Sequence, residues 1–252
     1  MRFIATADTD IGNTKSTNQD SVLIEHANTP AGEILMAAIC DGMGGLSKGE
    51  VASAAVVNAL KEWFETVLPY ELASPNLEVI GRKLSSLLKE YNVKIKRFGG
   101  EDEKLGTTCT AILFIGDAYL IVHVGDTRAY AISNRLMQLT EDQTYIQREM
   151  KRGAMTKEQA RVDPKRNMLL QCVGASPKVE PALYYGKTIP GAYMLCSDGF
   201  RHEISEQEIY ETLNPARLNN KETMHNNCRY LIDLVKARKE RDNISVILVK
   251  TM

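Results

Sequence analysis

Short apolar segments bounded by turn residues constrain the fold of this chain more than any other feature. Each is rich in β-branched or aromatic residues, as strands are; they cover residues 21–25, 34–40, 108–115, 119–124, 129–133, 192–196 and 244–249. The central segments follow one another at hairpin spacing, with turn signals at Gly116-Asp117, Gly125-Asp126 and Ser133-Asn134. This spacing predicts antiparallel pairing.

Three helical segments with one apolar face separate the groups of strands. The first follows a capping box at Ser47-Lys48-Gly49-Glu50 and stops at Pro69. The second opens at Ser74-Pro75 and closes at Gly99-Gly100, and the third surrounds residues 224–235. Grouped strands with amphipathic helices set apart in sequence predict an α+β fold in which helices cover sheets from outside.

A polar stretch from residue 140 to residue 166 departs from this pattern. Thr144-x-x-Gln147 and Thr156-x-x-Gln159 each predict a helix start, and Gly153 separates them. Connecting segments that lie outside the main layers of a fold often contain functional residues. Since no linker, repeat or low-complexity tract divides the sequence, we expect one domain over residues 1–252.

Composition narrows the classes of function. The 31 Lys and Arg residues nearly balance the 32 Asp and Glu residues, for a net charge of −1. A protein that binds nucleic acid by neutralising phosphates needs a basic excess, and the same reasoning disfavours a membrane surface. The N-terminal residues lack the apolar stretch of a signal peptide. Five cysteines without a Cys-x-x-Cys pair predict reduced thiols in a cytoplasmic protein, not disulfides or zinc ligands.

Aspartates occur at the ends of the predicted strands. Asp41, Asp126 and Asp198 follow strands within two residues, while Asp20 and Asp242 precede them. Because antiparallel neighbours bring the end of one strand beside the start of the next, we expect all five carboxylates at one rim. A single Asp-Gly pair is more often a turn than a ligand. Carboxylates gathered in this way repel one another unless cations hold them, and they suit hard ions such as Mg²⁺ or Mn²⁺.

Six short motifs occur in order along nearly the whole chain: Thr17-Asn18-Gln19-Asp20-Ser21, Asp41-Gly42-Met43-Gly44-Gly45, Gly106-Thr107-Thr108, Val124-Gly125-Asp126-Thr127-Arg128, Ser197-Asp198-Gly199 and Arg241-Asp242-Asn243. Each motif alone is weak, but six in this order are specific. The series resembles that of the metal-dependent protein phosphatases of type 2C, in their bacterial form.

The resemblance implies a four-layer αββα sandwich, with two antiparallel sheets flanked by helix pairs and two divalent metals, Mn²⁺ or Mg²⁺, at one edge. It implies that Asp41 bridges the two ions and that the Gly42 carbonyl is a further ligand. Asp198 and Asp242 would hold one ion, while Asp20 would approach the other directly or through water. Two such ions neutralise a phosphate monoester and turn a shared water into hydroxide.

Two further roles follow from the same resemblance. Asp126 and Asp198 match a third, weaker metal position, and Asn243 is expected to support the site without binding metal. No Cys-x5-Arg signature of a cysteine phosphatase occurs, which agrees with water as the nucleophile.

The sequence departs from the family pattern at three positions. Lys15 occupies the position where family members usually have a phosphate-binding Arg. A lysine ammonium attracts phosphate as a point charge, whereas an arginine guanidinium binds it with two parallel hydrogen bonds. Met43 replaces the His that eukaryotic members offer as a general acid, so water would protonate the leaving alkoxide. Residues 140–166 would form the family's flap, a segment that lies beside the metals and shapes access of the substrate. At the start of this flap, Gln143 replaces the usual His.

The function expected from this resemblance is hydrolysis of phosphoserine and phosphothreonine in proteins. Its partners would be phosphorylated proteins and a bacterial Ser/Thr kinase that the enzyme opposes, and the enzyme would be a cytoplasmic monomer. One alternative is a catalytically silent relative that acts as a binding module, although such relatives usually lose metal-binding carboxylates and every expected Asp is present. Another is a metal-dependent phosphatase of an anti-sigma antagonist or a small phosphoester, which would differ at Lys15 and the flap.

Overall fold

The computed structural model describes residues 1–30, 32–43, 48–100 and 104–252. The strands in these residues are β1 (Phe3–Asp10), β2 (Asp20–Thr29), β3 (Gly32–Asp41), β4 (Cys109–Ile115), β5 (Ala118–Val124), β6 (Arg128–Ile132), β7 (Leu136–Gln138), β8 (Ala182–Lys187), β9 (Gly191–Cys196) and β10 (Ile244–Thr251). The helices are α1 (Gly49–Thr66), α2 (Leu68–Glu71), α3 (Leu77–Gly99), α4 (Tyr145–Lys151), α5 (Lys157–Val162), α6 (Asp198–Arg201), α7 (Glu206–Leu213) and α8 (Lys221–Ala237). None of them is both long and apolar enough to cross a bilayer.

Within the described part of the chain the strands form two five-stranded sheets. One has the order β1-β10-β9-β6-β7 and the other the order β2-β3-β4-β5-β8. Every strand pair in both sheets is antiparallel. The α+β class predicted from the grouping of the strands is confirmed.

Three apolar clusters hold four layers together. Phe114 and Tyr193 lie in the cluster between the two sheets, with their ring centroids 4.9 Å apart. Trp63 and Leu84, on α1 and α3, pack on the outer face of the sheet that contains β2. Leu231 of α8 packs on the outer face of the other sheet. The predicted αββα sandwich is therefore confirmed.

The burial of β3 on both of its faces explains why its sequence is apolar without alternation. Leu35, Ala37 and Ile39 face the cluster between the sheets. Met36 and Ala38 face the helices on the other side. A strand that is buried on both faces reads as a continuous apolar run, and burial of each large side chain contributes roughly 1.5–3 kcal/mol.

The predicted pairing of β5 with β6 through the turn at Gly125 is wrong. The spacing of β5 and β6 predicts a hairpin, but β5 and β6 belong to different sheets. Gly125 has φ 107, and a Cβ there would lie 2.6 Å from the Thr108 side chain, so the chain crosses between the sheets at a close approach. The other predicted turns are confirmed: Gly116 (φ 63) joins β4 to β5, and Ser133 joins β6 to β7.

The predicted starts of the first two helices have different outcomes. Ser47, the first residue of the predicted capping box, lies outside the described residues, and α1 begins at Gly49. The second helix was expected to open at Ser74-Pro75, but α3 begins at Leu77. Asn76 caps it, because its side chain accepts hydrogen bonds from the two backbone amides that follow Leu77.

The polar stretch contains the two predicted helices. Thr144 accepts a hydrogen bond from Gln147 N at the start of α4. Thr156 and Gln159 form a reciprocal capping box at the start of α5. The stretch lies between β7 and β8, so it joins the edge strands of two different sheets.

His123 is a buried core histidine, as its apolar strand predicts. Its Nδ1 lies 2.8 Å from Thr110 Oγ1, and its Nε2 lies 3.1 Å from the Glu141 carbonyl oxygen. Burial lowers the pKa of His123 from 6.5 to about 4. The imidazole is therefore neutral in the folded protein at neutral pH.

This environment predicts an acid-dependent loss of stability. Between pH 6.5 and pH 4 the unfolded chain binds a proton that folded His123 does not, so the free energy of unfolding falls as the pH falls. Relative to His123→Gln, the wild type should lose about 3 kcal/mol over this window. Urea unfolding followed by circular dichroism at a series of pH values measures the difference; parallel curves for the two proteins would contradict it.

Candidate active site

The first pair of acidic residues lies at one end of the sheet that contains β2 and β3. Asp20 begins β2, Asp41 ends β3, and the antiparallel register places the two directly opposite each other. The backbone of Asp41 is fixed: its amide donates to Thr108 Oγ1 (2.9 Å), and its carbonyl accepts from the amide of Thr108 and the hydroxyl of Thr107 (each 2.9 Å).

The second pair of acidic residues lies at the end of the other sheet. Asp198 begins α6 just after β9, and Asp242 comes just before β10, the antiparallel neighbour of β9. The Ser197 amide donates to the Ser245 carbonyl (3.1 Å), and the Ser245 amide donates to Ser197 Oγ (3.0 Å). These bonds hold the two strand ends together.

Asn243 connects the two sheets beneath the acidic groups. Its side-chain oxygen accepts from the Gln19 amide (2.9 Å). Its side-chain nitrogen donates to the carbonyls of Ile11 (2.9 Å) and Thr17 (3.2 Å). The loop that leads to Asp20 is thereby tied to the residue after Asp242.

Gly42 and Gly199 allow close backbone approaches at this junction. A Cβ at Gly42 would lie 2.4 Å from the Gly49 carbonyl oxygen and 2.6 Å from that of Gln19. A Cβ at Gly199 would lie 2.3 Å from the Asn243 carbonyl oxygen. Only glycine fits without displacing backbone, which explains both Asp-Gly pairs in physical terms. Gly44 and Gly45, the last two residues of the motif that begins at Asp41, lie outside the described residues.

Asp41 lies among the other candidate aspartates. Burial, followed by the charges of Asp20, Asp198, Asp126 and Asp242, raises the pKa of Asp41 well above its usual range. Asp41 is therefore close enough to each of the other four predicted aspartates for their charges to act on it. The structure thus brings together the residues that the sequence predicts at one rim.

Asp20 and Asp126 show the same effect. Burial raises the pKa of Asp20 to about 7, although the nearby hydroxyls of Ser245 and Ser197, which do not reach hydrogen-bond geometry with it, partly oppose this shift. Burial and the charge of Asp198 raise the pKa of Asp126 to about 7. Such shifts are typical of functional sites, although structural ion networks also produce them.

Several oxygens in this cluster have no hydrogen-bond partner. Both carboxylate oxygens of Asp20 and Oδ1 of Asp198 are buried without one. Across the described ranges, no group of three or more carboxylate, imidazole or thiol side chains is arranged so that it could hold a metal ion as it stands. Unpartnered anionic oxygens on two opposed strand ends nevertheless fit the chemistry of hard divalent cations, which accept water as part of their shell.

Lys15 brings a positive charge to the same cleft. Its Nζ lies 2.8 Å from Asp242 Oδ1, and its side chain is 30% exposed. Burial opposes the charge, but the hydrogen bond to Asp242 and the charges of Asp41 and Asp198 raise the pKa of Lys15 above its usual value. The ammonium is therefore held at the acidic rim while part of it remains open to solvent.

Sequence reasoning missed an arginine–aspartate cluster beside Asp126. Arg128 and Asp142 form a bidentate pair, with Nε–Oδ1 and Nη2–Oδ2 distances of 2.8 and 2.7 Å. Arg201 Nη2 donates to the Asp126 carbonyl (3.2 Å) and lies 3.8 Å from Asp126 Oδ2 and from Asp142 Oδ2. The positions of Arg128 and Arg201, each within three residues of a candidate aspartate, were the available signal.

Gln143 and His202 complete the surroundings of the acidic groups. The Gln143 amide donates to the Gly125 carbonyl (2.8 Å), and its side-chain oxygen accepts from the Gly125 amide (2.9 Å). The polar stretch therefore begins against the turn that carries Asp126. His202 follows α6, with its Nε2 3.7 Å from Asp198 Oδ2 and its Nδ1 3.5 Å from Glu240 Oε2.

Comparison with known proteins agrees with this geometry. A sequence model described as protein phosphatase 2C matches residues 12–241. The serine/threonine protein phosphatase PstP of Mycobacterium tuberculosis is 32% identical over 253 residues, which cover 98% of this chain but 44% of PstP. The chain thus spans less than half the length of that relative.

Solved structures have the same fold over the whole chain. A serine/threonine phosphatase of S. agalactiae has a TM-score of 0.86 and 30% identity, with 100% of both chains covered. The catalytic domain of PstP in complex with two manganese ions has a TM-score of 0.76 and 28% identity, with 98% of this chain and 97% of that chain covered. The chain belongs to the protein phosphatase 2C family.

Proposed function

We propose that this protein is a metal-dependent serine/threonine phosphatase that hydrolyses phosphoserine and phosphothreonine in proteins with water as the nucleophile. The observation that carries the proposal is the gathering of four aspartates around Asp41 at the junction of the two sheets, with unpartnered oxygens on Asp20 and Asp198. The names of the relatives and the two manganese ions of PstP support it. We extend the activity to the whole chain as one domain.

Four of the five aspartates and one backbone carbonyl would hold two divalent ions, Mn²⁺ or Mg²⁺. Asp41 would serve both ions, and the Gly42 carbonyl would be a further ligand. Asp198 and Asp242 would hold one ion, and Asp20 would serve the other directly or through water. When bound, the two ions neutralise the phosphate and lower the pKa of water so that it can attack phosphorus.

The remaining residues bind and position the substrate. Lys15, already at the rim with its Nζ beside Asp242, attracts the phosphate dianion. Asn243 uses its side chain to hold Asp242 and the Asp20 loop in place. Met43 carries no transferable proton, so solvent water protonates the leaving serine or threonine alkoxide.

The biological setting is part of the proposal. Substrates are phosphorylated proteins, and the enzyme opposes a bacterial Ser/Thr kinase. We place it in the cytoplasm, because all five cysteines, each within the described ranges, are buried free thiols, as in a reducing compartment. We further propose that it acts as a monomer. A catalytically silent binding module is disfavoured, since every acidic residue expected for the metals is present.

Replacement of the shared carboxylate tests the mechanism. Asp41→Asn should lower kcat/KM for p-nitrophenyl phosphate with Mn²⁺ by at least about 100-fold, because one anionic ligand common to both ions is lost. EDTA should abolish the wild-type activity, and added Mn²⁺ should restore it.

Asp117→Asn provides the matched control, because Asp117 is an exposed residue in the turn between β4 and β5, at the opposite end of β5 from Asp126. It should retain wild-type kinetics. Activity that survives EDTA, or equal losses in Asp41→Asn and Asp117→Asn, would reject the proposed metal mechanism.

Lys15 should affect substrate binding more than turnover. Lys15→Met removes the charge at similar length and should raise KM for a phosphothreonine peptide about tenfold, whereas Lys15→Arg should lower it, because a guanidinium binds phosphate in a bidentate manner. Steady-state kinetics with the peptide separate KM from kcat. An unchanged KM in Lys15→Met would remove Lys15 from the phosphate site.

A further inference from the structure

The guanidinium of Arg201 lies beside Asp126, one of the two aspartates that the family resemblance assigns to a third metal ion. We propose that Arg201 is a built-in cation that occupies the electrostatic place of that third ion, so that the protein binds two divalent ions and not three. The inference rests on the proposed function, since it concerns the number of ions at the same cleft.

Contacts fix the position of the guanidinium. Arg201 Nη2 donates to the backbone carbonyl of Asp126 at 3.2 Å and lies 3.8 Å from Oδ2 of the same residue. The Arg201 and Asp126 side chains are both 14% exposed. Arg201 is the last residue of the short helix α6, and Asp198 is the first. The same helix therefore positions both Arg201 and Asp198 at this end of the sheet.

Charge balance explains why a third ion is disfavoured. Arg128 neutralises Asp142 through two short hydrogen bonds, and Arg201 adds a second positive charge 3.8 Å from the same carboxylate. Two arginines therefore lie beside two aspartates, Asp126 and Asp142, so each of these carboxyl groups already has a cation near it. A divalent ion between Asp126 and Asp198 would add two positive charges close to a guanidinium that has little solvent to screen it.

The acidic groups assigned to the two ions have a different environment. Both oxygens of Asp20 and Oδ1 of Asp198 are buried without hydrogen-bond partners. Lys15, the cation at Asp242, is 30% exposed. Among the described residues, the buried unpartnered oxygens of this cleft therefore belong to Asp20 and Asp198, and none belongs to Asp126.

Titration with Mn²⁺ tests this assignment by counting ions. Isothermal calorimetry, with free Mn²⁺ counted by electron paramagnetic resonance, should give two bound ions for the wild type at millimolar Mn²⁺. Arg201→Gln should bind a third ion at least about tenfold more tightly than the wild type does. Arg201→Lys, which keeps the charge, should still bind two, and Arg201→Gln combined with Asp126→Asn should lose the third.

The folded state of the variants is checked independently by thermal unfolding. Arg201→Gln leaves the Arg128–Asp142 pair intact and retains a donor for the Asp126 carbonyl. A wild type that binds three ions would overturn the inference and leave the phosphatase proposal standing, as would an Arg201→Gln variant with only two. A wild type that binds no Mn²⁺ would overturn both.

Discussion

The repulsion among buried carboxylates at the junction of the two sheets is the constraint on which the rest of this structure depends. Burial and the four neighbouring aspartates raise the pKa of Asp41 well above its usual range. Such a cluster costs folding free energy unless cations are added. The apolar clusters on both faces of each sheet supply the stability that lets this arrangement exist.

The sandwich makes this concentration of charge possible because each sheet contributes strand ends to the same edge. Asp20 and Asp41 come from one sheet, and Asp198 and Asp242 flank paired strands of the other. Gly42 and Gly199 permit the close backbone approach, and Asn243 joins the sheets with three hydrogen bonds. The site is therefore positioned by rigid strands and not by long loops, as a catalytic geometry requires.

The parts of this architecture that could be predicted from sequence are those with a strong local signal. Strands buried on both faces, such as β3, appear as long apolar runs, and the aspartates at their ends mark the rim. The sequence does not predict the edge strands β1, β7 and β8, because a strand that is half exposed has only a weak apolar pattern. The crossing at Gly125 was read as a hairpin, since a short turn does not reveal which sheet the next strand joins.

The candidate site also has a part that the sequence predicts and a part that it does not. Its aspartates follow from their positions at strand ends, and their roles as metal ligands remain predictions. The pairing of Arg128 with Asp142 and of Arg201 with Asp126 depends on how the polar stretch and α6 meet, which is a long-range contact that no local pattern encodes. Sequence therefore indicates where negative charge gathers, while coordinates are needed to identify the cations that balance it.

The most direct test of the central claim is anomalous X-ray diffraction from crystals grown with manganese. We expect two strong anomalous peaks in the cleft bordered by Asp20, Asp41, Asp198 and Asp242. A cleft without anomalous density under millimolar manganese, or peaks bound only elsewhere on the surface, would contradict the claim that this acidic cluster exists to hold metal ions.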